Sequence, residues 1–370
     1  MDNSYCPLPF NHLAVRPNGK VYPCCAFRWD GVPEDFNIQN SNIFNHPYLE
    51  SIRNKMRNNE PVDGCAKCYE NEKKTGTSTR QYFIKNAEEY GLSNSTEPKL
   101  VYLDLALSNT CNNKCRMCNA ELSTSWYSDW KTLGRKIPKG ILEQNTVLEN
   151  YDLSNLRFIK IIGGEPLMEQ DKFINILKRC DRKNLSILLT TNATLTPNDE
   201  LFSLLKECKI CKINLSIDAT GSLNDFLRKG SKWEKTVEVM HWFNNNFNLK
   251  HSVNVYSVIS IYNVNHISKL HFFLKDNFPG FPLALSMIDG PDWMHPRHLP
   301  ENVKQDIITL IAGWKKIMNA PFFNTLESEL SKGGDFRLFM RSDTELSNLR
   351  NEHWKEHNTE LYEMVKGFYE

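Results

Sequence analysis

From residue 99 onward, short apolar runs alternate with segments of helical spacing. The runs are LVYLDLAL (100–107), LRFIKII (156–162), LSILLTT (185–191), KINLSID (212–218), HSVNVYSVIS (251–260) and LALSMID (283–289), and they predict six strands. Between them QDKFINILKRC (170–180), NDELFSLLKEC (198–208), KWEKTVEVMHWFNNNF (232–247) and ISKLHFFLKDNF (267–278) predict helices, and helix is also expected within 119–155. This alternation predicts an α/β fold with a parallel sheet and right-handed crossovers. Six strands are too few for a closed eight-stranded barrel and fit an open or partial one.

The flanks read differently. Residues 1–95 are irregular. VRPNGKVYPCC (15–25) predicts a hairpin turning at Asn18-Gly19, HPYLESIRNKMRN (46–58) places Leu49, Ile52 and Met56 at helical spacing, and GLSNSTEPK (91–99) reads as a linker. Past about 295, ENVKQDIITLIAGWKKIM (301–318) and LRNEHWKEHNTELYEMVKGFYE (349–370) predict a helical extension. Three regions follow: a small N-terminal domain (1–95), a core (96–292) and a C-terminal extension (293–370).

Charge narrows the function classes. With 45 Lys and Arg against 44 Asp and Glu, the net charge of +1 gives no electrostatic footprint for nucleic acid or an anionic membrane. No run approaches the ~20 apolar residues of a membrane helix. MDNSYCPLPF at the start lacks the shape of a signal peptide, so a cytoplasmic location with reduced thiols is expected.

Against that background eleven cysteines are many, and they are grouped. Cys111, Cys115 and Cys118 stand at C-x3-C-x2-C spacing just after the first core strand. Cys6, Cys24, Cys65 and Cys68 form an earlier set, with Cys25 competing with Cys24; spacing from Cys6 favours Cys24. In a reducing compartment such groups read as metal or redox sites. Three thiolates leave one corner of a cubic iron–sulfur cluster open; four close it. Zinc is the rival for both groups, completed by a distant histidine in the first case. Cys180, Cys208 and Cys211 read as small buried hydrophobes.

The remaining unusual residues fall at the C-terminal ends of predicted strands, where parallel sheets bind ligands. Strand two ends in GGEP (163–166), strand three at Asn192, strand four at Ser216 and Asp218. The glycines would let a ligand approach the backbone, and Glu165 could pair with a cationic amine. His295 and His298, just past strand six, are the one close histidine pair.

CNNKCRMC (111–118) together with GGEP resembles the radical S-adenosylmethionine (radical SAM) enzymes over about 100–290. The resemblance implies a partial (β/α)6 barrel with a [4Fe–4S] cluster on Cys111, Cys115 and Cys118. SAM would bind the open iron and be cleaved reductively to a hydrogen-abstracting 5′-deoxyadenosyl radical. Gly163, Gly164, Glu165 and Pro166 would hold the SAM amino group. Ser216 and Arg228 would serve its ribose and carboxylate, and Asn192 and Asp218 would line the same site. Met117 stands where the family often has an aromatic residue near the adenine. GKVYPCC and CAKC resemble the twitch, or SPASM-like, auxiliary domain, which implies a second [4Fe–4S] cluster on Cys6, Cys24, Cys65 and Cys68. Such relatives mostly modify peptides or proteins, and a minority oxidise small molecules; both substrate classes stay open, as does a non-catalytic metal-stabilised module. A flavodoxin or ferredoxin is the implied electron donor.

Overall fold

The computed structural model describes residues 4–28, 31–93, 95–138, 151–247, 252–318 and 320–369. The chain divides into two units. The first comprises Met1–Thr110, Pro138–Thr190 and Pro197–Ile213; the second comprises Cys111–Ile137, Thr191–Thr196 and Asn214–Glu370.

All six predicted core strands are present: β3 (Tyr102–Ala106), β4 (Phe158–Ile162), β5 (Ser186–Thr191), β6 (Ile210–Ser216), β7 (Ser252–Ile259) and β8 (Leu283–Met287). Two further strands, β1 (His12–Val15) and β2 (Val21–Tyr22), come from the N-terminal region. The sheet runs β2-β1-β3-β4-β5-β6-β7-β8 and is open. The pairs β1–β3, β3–β4, β4–β5 and β7–β8 are parallel, whereas β1–β2 is antiparallel.

In the first unit the expected hairpin forms. The Gly19 N–H donates to Arg16 O at 2.9 Å, and Gly19 adopts the positive φ (78°) that a tight turn needs. The hairpin then does what the sequence did not suggest: β1 joins the sheet, with Leu13 opposite Leu103 and Val15 opposite Leu105. A short α1 (Leu8–Asn11) leads into it. Helix α2 (Pro47–Arg57) buries Leu49, Ile52 and Met56, the spacing read from sequence. Helices α3 (Ala66–Thr75) and α4 (Thr79–Lys85) complete the region. Helices α6 (Gln170–Lys178) and α7 (Asp199–Glu207) follow β4 and β5 as crossovers.

The second unit holds α5 (Tyr127–Thr132), α8 (Gly221–Leu227), α9 (Trp233–Asn246) and α10 (Ile267–Asn277), then α11 (Glu301–Ile317), α12 (Phe322–Leu330), α13 (Phe336–Arg350) and α14 (Thr359–Val365). Its core gathers Phe226, Tyr262, Ile307, Phe323, Phe339 and Trp354 from helices far apart in sequence. Helix is present in both of the remaining stretches where it was expected, in short pieces. Within 119–155 the α-helix among the described residues is only the six-residue α5; 139–150 lie outside them. The stretch 349–370 is not one helix. Asn351 takes a left-handed conformation (φ 49°) that ends α13, and Asn358 caps a separate α14 by accepting the Leu361 N–H.

Candidate functional site

In the second unit the three-cysteine loop is held by backbone hydrogen bonds. The Lys114 N–H donates to Lys229 O at 2.7 Å, and the Arg116 N–H to Leu227 O at 2.8 Å. Gly230 is required beside it: φ is 112°, and a Cβ there would stand 2.5 Å from Asn112 O. The Trp126 indole donates to Cys115 O at 3.0 Å, and Ser123 Oγ to Asn113 O at 2.6 Å. Asn192 acts from the end of β5. Its amide donates to Asn112 Oδ1 at 2.8 Å and lies 3.8 Å from Cys111 Sγ, while its oxygen accepts from Thr194. Cys111 and Cys115 are buried and Cys118 half-buried. Met117 is half-buried and, with Cys118, lines a cavity of about 490 Å³ walled by Trp126, Trp130 and Trp293.

Arg228, expected to meet the SAM carboxylate or ribose, is buried. Its Nε lies 2.8 Å from Asp218 Oδ2, and its Nη1 lies 4.0 Å from Cys115 Sγ. Asp218 is buried too, and its Oδ1 accepts the Val258 N–H at 2.8 Å. These two residues flank a cysteine of the three-cysteine loop. Ser216 is half-buried as the last residue of β6.

Sequence reasoning missed Arg116. The charge between two cysteines reads as solvated, yet its side chain is fully buried. It donates to Asp343 Oδ1, Ser347 Oγ and Glu352 Oε1, each at 3.1 Å, and its guanidinium lies 3.8 Å from the Phe226 ring centroid. Arg350 and Lys114 close on Asp129 at 2.8 and 2.7 Å. Helix α13 thereby clasps the loop and the residues after it. The partners lie 227 to 236 positions downstream, so no local signal exists.

GGEP lies in the first unit, after β4. Gly163 (φ 84°) and Gly164 (φ 52°) are required, but the close neighbour is the chain itself: added Cβ atoms would stand 2.5 Å from the Ala106 Cβ and 2.3 Å from Thr110 O. Glu165 is buried, donates its N–H to Thr110 O at 2.7 Å, and accepts the Leu167 N–H at 3.0 Å. Pro166 opens the one-turn helix that this bond caps.

Also in the first unit, Cys6, Cys24, Cys65 and Cys68 are buried free thiols lining one small cavity, with Arg80 beside them. Cys25 is exposed and does not line it, so burial separates the neighbours as spacing did. Among the described residues no three His, Cys, Asp or Glu groups are gathered for a single metal ion. Cys180, Cys208 and Cys211 are buried, as expected. His295 and His298 serve structure. His298 Nδ1 accepts the Asp335 N–H at 2.9 Å while Nε2 faces Asp292 at 3.1 Å, and His295 faces Glu329 at 3.7 Å.

The chemistry of the donor sets fits iron–sulfur clusters. Burial pushes the Cys115 thiol up to about 11, and Cys118 and Cys65 to about 12. It raises Cys6 and Cys24 as well, and neighbouring cysteines add to the effect. Packed thiols of this kind become thiolates only when metal displaces their protons.

Comparison with known proteins agrees. The radical SAM superfamily model matches residues 105–274, and the SPASM model, an iron–sulfur cluster-binding domain, matches 6–69. GTP 3′,8-cyclases of Aliarcobacter butzleri (strain RM4018) and Sulfurovum sp. (strain NBC37-1) are each 28% identical, over 130 and 120 residues. Each match covers 32% of this chain and about a third of the relative (35% and 34%). Among solved structures, anSMEcpe with bound AdoMet superposes at TM-score 0.41 and 20% identity, covering 62% of this chain and 63% of that one. Streptococcus suis SuiB does so at 0.39 and 15%, covering 78% and 62%. These superpositions are too distant to carry detail. The two family models imply SAM, a [4Fe–4S] cluster and an auxiliary iron–sulfur cluster, which sets zinc aside. The chain thus carries a radical SAM domain over residues 105–274 and, ahead of it, a SPASM-type iron–sulfur domain over residues 6–69.

Proposed function

We propose that this enzyme abstracts hydrogen from a peptide or protein substrate and so begins its modification. When bound, the reduced cluster and SAM supply a 5′-deoxyadenosyl radical as the abstracting agent. Cys111, Cys115 and Cys118 hold that cluster; Asn192, Gly230 and Arg116 fix the loop that presents them. Glu165, with Gly163, Gly164 and Pro166 shaping its turn, takes the SAM amino group, and Ser216 its ribose. Met117 contributes to the adenine side. Cys6, Cys24, Cys65 and Cys68 close the auxiliary cluster, leaving no iron open to substrate. A flavodoxin- or ferredoxin-type protein supplies the electron.

The observation that carries the peptidyl reading is the SPASM match, since enzymes of that resemblance mostly act on peptides. The 490 Å³ cavity beside Cys118 supports it: its aromatic wall suits an apolar side chain, and Arg135 and Glu345 among its lining residues suit a polar backbone. The match to GTP 3′,8-cyclases favours a second reading, oxidation or rearrangement of a small molecule. Two assays decide. Reconstituted protein with SAM and dithionite should form 5′-deoxyadenosine, and Cys115→Ala should not. Peptides encoded beside the gene, incubated with the active protein, should then change mass. Mass change in a nucleotide or sugar, with every such peptide untouched, would select the second reading.

A further inference from the structure

A buried cation stands beside one cluster thiol, and its own counter-ion stands behind it. Arg228 ends α8; its Nη1 is 4.0 Å from Cys115 Sγ and its Nε 2.8 Å from Asp218. Asp218 cannot swing away: it accepts the Val258 N–H through its side chain and the Asn263 amide through its carbonyl, and its own N–H donates to Asn224. The backbone on either side of Arg228 accepts the Arg116 and Lys114 N–H groups, so the same segment grips the loop on which Cys115 lies. We propose that Arg228 and Asp218 act as an opposed pair of positioning residues that set the reduction potential of the three-cysteine cluster through Cys115. This rests on the radical SAM reading and concerns a property that reading leaves open.

Reduction adds one electron to the cluster, taking it from 2+ to 1+, with no bond or proton change; an external one-electron donor is oxidised by one electron. A cation close to a thiolate ligand in a low-dielectric site favours the added negative charge, and hydrogen bonds to cluster sulfurs act the same way. A buried carboxylate one residue further out opposes it. Removing Arg228 deletes the favourable charge and also unmasks Asp218. Both changes push the potential down. Neutralising Asp218 leaves Arg228 unopposed and pushes it up.

The test is a mediated redox titration of the anaerobically reconstituted full chain with dithionite, followed by the electron paramagnetic resonance signal of the reduced cluster. The relevant cluster is the one whose signal changes on adding SAM. Arg228→Met should shift its midpoint to more negative potential and Asp218→Asn to more positive, with Arg228→Lys between Arg228→Met and wild type. Iron content reports whether each variant keeps its clusters. Shifts of the same sign, or none in iron-replete Arg228→Lys and Asp218→Asn, would overturn the proposal. So would loss of the cluster in both of those variants, since the pair would then be a purely structural brace. A wild type with no SAM-responsive iron signal would instead break the radical SAM reading itself.

Discussion

Replacing Arg116 by methionine should destabilise the second unit by about 3–5 kcal/mol, the range for removing one partner of a buried ion pair. The structure says why the upper part applies. The guanidinium is fully buried, makes three 3.1 Å bonds to Asp343, Ser347 and Glu352, and adds a cation–π contact with Phe226 worth up to about 2 kcal/mol when desolvated. These terms overlap and do not sum. Methionine keeps most of the volume but leaves Asp343, whose carboxyl burial already pushes above the usual range, facing only Tyr262 and Ser347. Glu352 suffers less, because Lys229 pairs with it at 2.6 Å. The assay is equilibrium urea unfolding of cluster-free protein at neutral pH, followed by tryptophan fluorescence. At a slope of roughly 3 kcal/mol per molar, the midpoint should fall by about 1 M or more. The double variant Arg116→Met with Asp343→Leu should recover much of the loss, because no orphaned charge remains. An Arg116→Met midpoint within about 0.2 M of wild type, or a double variant worse than the single, would refute the reasoning.

Other outcomes follow from the same geometry. Cys24→Ala should lose the auxiliary iron, about four atoms per chain, while Cys25→Ala should keep most of it; the reverse iron counts would reassign the ligand. Glu165→Gln keeps an oxygen for the Leu167 N–H but loses the charge, so the fold should hold while SAM affinity falls by about 2 kcal/mol in equilibrium binding; unchanged affinity would remove Glu165 from the SAM site. Burial lowers His12 to about 4 although its Nδ1 sits 2.9 Å from Pro23 O. A histidine depressed in the fold contributes fully above its usual 6.5 and loses that contribution as pH falls toward 4, about 3 kcal/mol in all. Thermal unfolding of cluster-free His12→Asn should therefore show a flatter pH profile from 6.5 to 4 than wild type, and parallel profiles would contradict the assignment.

What could be read in advance follows from range. The six core strands were legible because buried parallel strands are continuous apolar runs. The β1–β2 turn was legible because Asn18-Gly19 encodes it locally. That β1 joins β3 was not, since His12–Val15 is four residues long and its partner lies some ninety positions away. Spacing separated Cys24 from Cys25, and burial draws the same line. Gly163 and Gly164 were recognised as required, and a Cβ on either would meet chain atoms within 106–110, a long-range approach that the local string does not show. The partners of Arg116, and the pairing of Arg228 with Asp218, were opaque for one reason: a charge in a sequence string looks solvated until its distant partner is placed beside it.

The grip of α13 on Arg116 carries a consequence for how the protein is made. Its residues Asp343 and Ser347 lie 227 and 231 positions after the arginine they clasp. At synthesis rates of about 5–20 residues per second, the three cysteines wait roughly ten to forty-five seconds before that partner exists. The auxiliary set, Cys6 to Cys68, is complete within some sixty residues and waits only a fraction of that time. In a nascent chain, then, the two clusters have different earliest birthdays. The auxiliary site can be filled while the ribosome is still at work on the core, whereas the catalytic loop stays loosely held, and open to oxygen, until α13 has been made.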